Sequence, residues 1–217
     1  TLTDNLYGAG DNSLGQLNVS TLTKRYSAPT SIHISSGVVA AVAGGESDTG
    51  HILVGNGTVM GMGSNEYGAI GNAADTGTRG TAALPYRAMA IGGGKNSTYA
   101  SVFQLQQAGD GQYVNVANLM TGTDVTGNFF GWGEVNNAYQ TTDLTTNAPV
   151  QITDLRNETN KADYRGQVMM MGGNGATYTI DGNGNMILSG GNNYYGELGR
   201  GTIGGNGEIT IPGGGTA

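Results

Sequence analysis

A phrase of nine or ten residues occurs four times along this chain, and that recurrence constrains the fold more than any other feature. The copies are Leu6-Tyr7-Gly8-Ala9-Gly10-Asp11-Asn12-Ser13-Leu14-Gly15, Met60-Gly61-Met62-Gly63-Ser64-Asn65-Glu66-Tyr67-Gly68, Phe130-Gly131-Trp132-Gly133-Glu134-Val135-Asn136-Asn137-Ala138 and Leu188-Ser189-Gly190-Gly191-Asn192-Asn193-Tyr194-Tyr195-Gly196. Each is a short apolar run that ends in Gly and is followed, with few exceptions, by Asn and a turn. From Gly10 to Gly63, Gly133 and Gly191 the steps are 53, 70 and 58 residues, a spacing that belongs to propellers, solenoids and related arrays.

Two more landmarks keep the same phase. The only four prolines, Pro29, Pro85, Pro149 and Pro212, follow those glycines by 19, 22, 16 and 21 residues. A Gly-Gly pair followed four residues later by Thr occurs at Gly44-Gly45 with Thr49, Gly93-Gly94 with Thr98 and Gly172-Gly173 with Thr177. Between landmarks the apolar runs are short: residues 38–43, 51–54 and 58–60 in the first unit, with Gly55-Asn56-Gly57 separating the last two. Asn-Gly between β-prone runs signals a hairpin, because both residues accept positive φ. The third unit repeats the plan, with Asp181-Gly182-Asn183-Gly184 as its hairpin. Each proline is placed at the head of a unit's first strand, where its missing N–H breaks no ladder bond. Four antiparallel strands in roughly 55 residues make one propeller blade. The fold class expected is all-β, a propeller-like array of four-stranded antiparallel blades.

The turn phrases from Gly10 to Leu17 and from Gly191 to Gly199, the Gly-Gly strand junction and the Gly-Asn-Gly hairpin resemble the repeats of the regulator of chromosome condensation family, whose members are β-propellers. The resemblance spans nearly the whole chain. It departs from the family pattern where a His is usual after the Gly-Gly pair, since those places hold Asp48, Ser97 and Ala176, and at Ala138, where Gly is usual. The activity that the resemblance implies is nucleotide exchange on a small GTPase.

Strand counting divides the 217 residues into a last strand of a blade within 1–28, whole blades over 29–63, 85–133 and 149–191, and a first strand of a further blade at 208–217, all in one propeller-like repeat domain. An arc of three whole blades leaves open edges, which invite pairing. The expectation is therefore a piece of a longer propeller, or two copies that complete each other.

Composition narrows the function classes. With 41 glycines and 37% apolar residues, the core has to be built from small side chains, with residues 169–171, Phe129, Phe130 and Trp132 as its bulky fillers. Nine basic residues against sixteen acidic ones leave a net charge of −7 without any Lys/Arg run. The counterion-release term that drives nucleic-acid affinity is missing, so no nucleic-acid partner is expected. No stretch approaches the ~20 apolar residues of a membrane-crossing helix, and no membrane insertion is expected. The absence of Cys rules out disulfides and cysteine catalysis. Low charge with abundant Gly, Asn, Thr and Ser suggests an extracellular, cell-surface or virion location.

Candidate chemistry is sparse. His33 and His51 lie on different strands with no ligand spacing, His33 reading as solvated and His51 as half-buried. Gly92-Gly93-Gly94-Lys95-Asn96-Ser97 looks superficially like a phosphate loop but lacks the Walker spacing, and its in-phase copies lack Lys, so it reads as a strand junction. Asp181, Asn183 and Asn185 alternate like the start of a calcium loop without the closing Glu, and a plain turn outweighs a metal site there. Asn18, Asn96 and Asn157 head glycosylation sequons. No catalytic group and no cofactor is expected. Residues 106–120 replace a short hairpin turn, and insertions in repeat proteins gather on the binding face. Together these features predict a non-enzymatic structural or adhesive module working through protein partners, by self-association or within a larger assembly such as a phage particle, with glycan as a further ligand class. A propeller that scaffolds or exchanges nucleotide on a small GTPase is the alternative.

Overall fold

The structure, a computed structural model, describes residues 6–19, 23–32, 34, 38–43, 48–74, 77–103, 129–135, 145–151, 167–172, 176–181, 186–191, 194–195 and 209–210. All regular structure among them is β, in fourteen strands: β1 Leu6–Asp11, β2 Arg25–Ile32, β3 Val38–Ala43, β4 Thr49–Val54, β5 Val59–Gly63, β6 Arg79–Thr81, β7 Arg87–Gly93, β8 Ser97–Phe103, β9 Phe129–Glu134, β10 Thr145–Gln151, β11 Gln167–Gly172, β12 Ala176–Asp181, β13 Met186–Gly191 and β14 Ile209–Thr210. They form three four-stranded antiparallel meanders, β3 to β6, β7 to β10 and β11 to β14, and one two-stranded sheet, β1 with β2. The array is a β-propeller arc.

Local sequence explains why the strands stop where they do. The β4–β5 hairpin closes over Asn56-Gly57, with Val54 and Thr58 bonded N to O at 2.8 Å and the Asn56 side chain accepting from Thr58 N–H at 2.9 Å. At the other end of β5, Gly63 takes φ +104°, and a methyl there would run into the carbonyl oxygen of Asp48. Gly133 at the end of β9 stands against the carbonyl of Asn96 in the same way. The residue after each glycine then donates to that carbonyl, Ser64 to Asp48 at 3.0 Å and Glu134 to Asn96 at 2.8 Å. Only glycine lets the two chains approach this closely.

The first strands lie innermost in neighbouring sheets, for β7 touches both β3 and β11. One core cluster joins the second and third sheets: Leu53, Val59, Ala82, Ala88, Ile91, Ala100 and Trp132, with Leu84 against its edge. Three alanines among seven members match the expectation of a small-residue core; Trp132 is its bulky filler, and Phe130 is also buried.

Strand order corrects the phase read from the prolines. Pro29 and Pro149 do not head first strands; they sit inside β2 and β10, which are last in their sheets and pair with β1 and β9. Gly8 and Gly10 pair with Thr30 and Tyr26, and Gly131 and Gly133 with Val150 and Thr146, so both prolines lie in equivalent bulges. A bulged residue is left out of the ladder and needs no N–H there. Pro85 lies between β6 and β7. The runs at 6–10, 58–63, 128–133 and 186–191 are strands as read, but none is last: β5, β9 and β13 are third in their sheets, and β1 is followed by β2. Likewise β14, expected at 208–217 to open a further blade, pairs with β13 and completes its sheet. Residues 106–120 lie outside the described residues.

Replacing Gly63 with Ala should lower stability by roughly 2 kcal/mol or more, combining positive-φ strain with the overlap on Asp48. Gly10, also at positive φ but with nothing near its would-be Cβ, should cost less on the same change. Chemical denaturation of the two variants measures the difference.

Candidate functional site

The repeated Asn builds a rigid turn on one end of the arc. Asn65 Oδ1 accepts from Ile70 N–H at 3.1 Å, as Asn12 Oδ1 does from Leu17 N–H at 2.9 Å. The backbone follows suit, with Gly68 bonded to Asn65 and Gly71 to Gly68, and Gly15 bonded to Asn12 and Asn18 to Gly15, all between 3.0 and 3.1 Å. Two turns, over 12–18 and 65–71, are thereby held in one shape. Asn193 lies outside the described residues, although Tyr194 and Tyr195 beside it form a turn.

The second of these turns is wedged between sheets, and its Ala69 carbonyl is the centre of a buried polar node. His51 Nε2 on β4 approaches it to 2.6 Å and Trp132 Nε1 on β9 donates to it at 2.8 Å. The His51 and Trp132 rings meet edge to face, with centroids 5.8 Å apart and planes at 70°. On the other side of the imidazole, Thr98 Oγ1 lies 3.0 Å from Nδ1. A carbonyl can only accept, so Nε2 carries the proton and Nδ1 accepts from the Thr98 hydroxyl. A neutral His51 is thus fully satisfied, and burial pushes its pKa down to about 4. Gly71 completes the fit, since a Cβ there would stand 2.7 Å from the indole nitrogen of Trp132.

His51, read as half-buried from sequence, is fully buried. No local signal marks it, because Thr98 is 47 residues away and the Ala69 carbonyl belongs to a turn. The same rung of β8 carries Tyr99, opposite Gly131 as His51 is opposite Gly61, and burial raises the Tyr99 pKa to about 12. Neither group is placed to exchange protons with a ligand. The Thr49 and Thr98 that share a sequence spacing are not equivalent: Thr49 pairs with Gly63 and Thr98 with Trp132, one rung further.

The remaining candidates are scattered. Gly92 to Ser97 is the junction of β7 and β8, closed by Gly94 N–H on Ser97 O at 2.7 Å. Asp181 ends β12 opposite Gln167, whereas Asn183, Asn185, Asn157 and His33 lie outside the described residues. Asn18 and Asn96 are buried, Asn18 accepting from Arg79 Nη1 and Asn96 donating to Glu134 Oε2 at 2.5 Å, so neither amide is presented for glycosylation. No cluster of metal-ligating side chains occurs among the described residues.

Two open grooves flank the blades. One, of about 920 Å³, lies at the hairpin end between Asn56 to Val59 and Leu84 to Arg87. The other, of about 800 Å³, lies at the opposite end among the Asn-capped turns, from Leu14 past Tyr67 to Asn147.

Asn65→Ala strands the buried N–H of Ile70 and should lower stability by about 1–3 kcal/mol. For His51, the unfolded chain binds the proton first, so stability is full above pH 6.5 and falls towards pH 4, by at most about 1.4 kcal/mol per pH unit. Denaturation midpoints of the chain and of His51→Gln across that range should diverge, with the variant flatter.

No protein-family profile matches the sequence, and no curated protein is similar to it. Solved structures are. Human WBSCR16 superposes with a TM-score of 0.68 at 16% identity, over 100% of this chain and 51% of that one. Prp20p from Saccharomyces cerevisiae, described by its binding to Gsp1p and histones, gives 0.48 at 12% identity over 98% and 61%. Yeast RCC1 (Prp20) bound to Kap60 gives 0.44 at 13% identity over 97% and 59%. The chain spans about half the length of WBSCR16. The expected extracellular, cell-surface or virion location is corrected: human WBSCR16, whose fold the chain shares, is described as no such protein. That expectation rested on Gly, Asn and Thr content, which the tight turns and bulges of the blades account for by themselves. In its fold, the chain is a divergent propeller of the regulator of chromosome condensation type.

Proposed function

We propose that the chain is a protein-interaction propeller, one repeat domain over residues 1–217, and that a small GTPase is the partner class it scaffolds or acts on. The observation that carries this reading is a division of labour among the described residues. The titratable groups inside, His51 and Tyr99, are buried and serve packing, while the ends of the blades present grooves and exposed apolar side chains: Tyr67 and Leu14 at one end, Tyr86 at the other. Propellers host many activities, so the fold alone does not choose among them. The resemblance of the repeats to exchange factors supports the GTPase, and a surface rich in hydrogen-bonding Thr and Asn suits protein contact. We assign the chain no catalytic or cofactor-binding residue, and Asp181, Asn183 and Asn185 a turn rather than a calcium site.

Immobilised chain should retain one or more members of a panel of small GTPases and change the release rate of a fluorescent guanine nucleotide from them. A chain that melts cooperatively but neither retains any GTPase nor alters nucleotide release overturns the reading.

A further inference from the structure

Leu14, Tyr67 and Tyr195 occupy one position of the repeat. Each stands two residues after the turn's Asn and immediately before its Gly. All three are exposed, at 41%, 36% and 85%. In the first two turns, Asn Oδ1 and backbone bonds hold the fold. An apolar group repeated on the water side of separate blades marks a contact surface.

Between the first two of these side chains runs the groove of about 800 Å³. It passes Ser64, Glu66 and Tyr67 and reaches Thr145 and Asn147 of β10, so it crosses from the turn after one sheet's third strand to the last strand of the following sheet. Among its described lining residues only Glu66 is charged, and the chain as a whole carries −7.

We infer that this groove seats an extended segment of a partner protein, with a Lys or Arg side chain laid across the Tyr67 ring and its charge against Glu66. The inference rests on the protein-interaction reading and names the chemistry of the partner. Charge makes the choice of occupant. An acidic segment would meet Glu66 and the field of the whole chain, whereas a basic one gains both a cation–π contact and an ion pair at adjacent residues. Uncharged residues of the segment lie along Ser64, Thr145 and Asn147, whose side chains offer hydrogen bonds rather than charge. Leu14 supplies the apolar wall at the far end. The extended form follows from the shape of the site, a long open trough spanning parts of several blades rather than a closed cavity.

The test uses the intact chain and two fluorescein-labelled decapeptides, one alternating Arg and Ala and the other Glu and Ala, read by fluorescence anisotropy. The Arg peptide should bind and the Glu peptide should not. Glu66→Gln and Tyr67→Ala should each weaken the Arg peptide by about five- to tenfold, a range set by one ion pair or cation–π contact at an exposed site. Tyr86→Ala, at the other end of the blades, should bind as the unaltered chain does. Glu66 and Tyr67 are exposed, and an unchanged melting curve for both variants separates lost binding from lost fold. Equal binding of the Arg peptide by Glu66→Gln and by the unaltered chain would show attraction to net charge only and overturn the site, as would equal binding of the Glu peptide. A GTPase retained by Glu66→Gln with the Arg peptide lost keeps both readings and separates their surfaces. A chain that binds the Arg peptide but no GTPase keeps the groove and removes the GTPase alone.

Discussion

A single carbonyl, that of Ala69, ties the second sheet to the third. Its two lone pairs are taken by His51 Nε2 and Trp132 Nε1, at 2.6 and 2.8 Å, and both donors are buried. Desolvated polar groups are tolerable only when paired, so the node is stable only if β4, β9 and the 65–71 turn are in place together. Everything that shapes the turn serves this contact. Asn65 bonds Ile70, Gly71 leaves room for the indole, and Gly61 lies beneath, where a Cβ would come within 2.9 Å of Ile70 Cα. The Thr98 hydroxyl from β8 then fixes the imidazole from its other side. Between the first two sheets, Met62 stands in the position of Trp132 and Gln16 in that of Ala69.

Much of the fold was legible because its strongest determinants are local. Asn-Gly at a hairpin, Gly at a positive-φ strand end and Asn at a turn act within five residues, and they recur. The fourth strands were harder to see. Arg79-Gly80-Thr81 has neither apolar alternation nor β-branched enrichment, and it becomes β6 because the backbone of β5 offers it a ladder. Prolines misled for the same reason: in sequence a proline between two runs can belong to either, and only the bulge in β2 and β10 shows which.

The site was less legible than the fold. His51 is one of two histidines with no spacing pattern, and its partners come from a turn 18 residues on and a strand 47 residues on. Thr49 and Thr98 looked like one recurring residue, yet the strand registers differ by a rung. Such offsets arise from pairing between strands, which one-dimensional spacing does not encode. The exposed row of Leu14, Tyr67 and Tyr195 was present in the repeated phrase from the start, but its exposure became visible only when the Asn bonds showed what holds the turn.

The turns also give the array a direction. Gly15 lies against Thr78, just before the last strand of the second sheet, and Gly68 against Asn147 in the last strand of the third; Arg79 reaches back to Asn18. Each of these two described turns therefore grips the blade that comes after it. During synthesis, a blade that has left the ribosome remains unclasped until its successor emerges, and order should advance down the arc as a ratchet, each new blade locking the last.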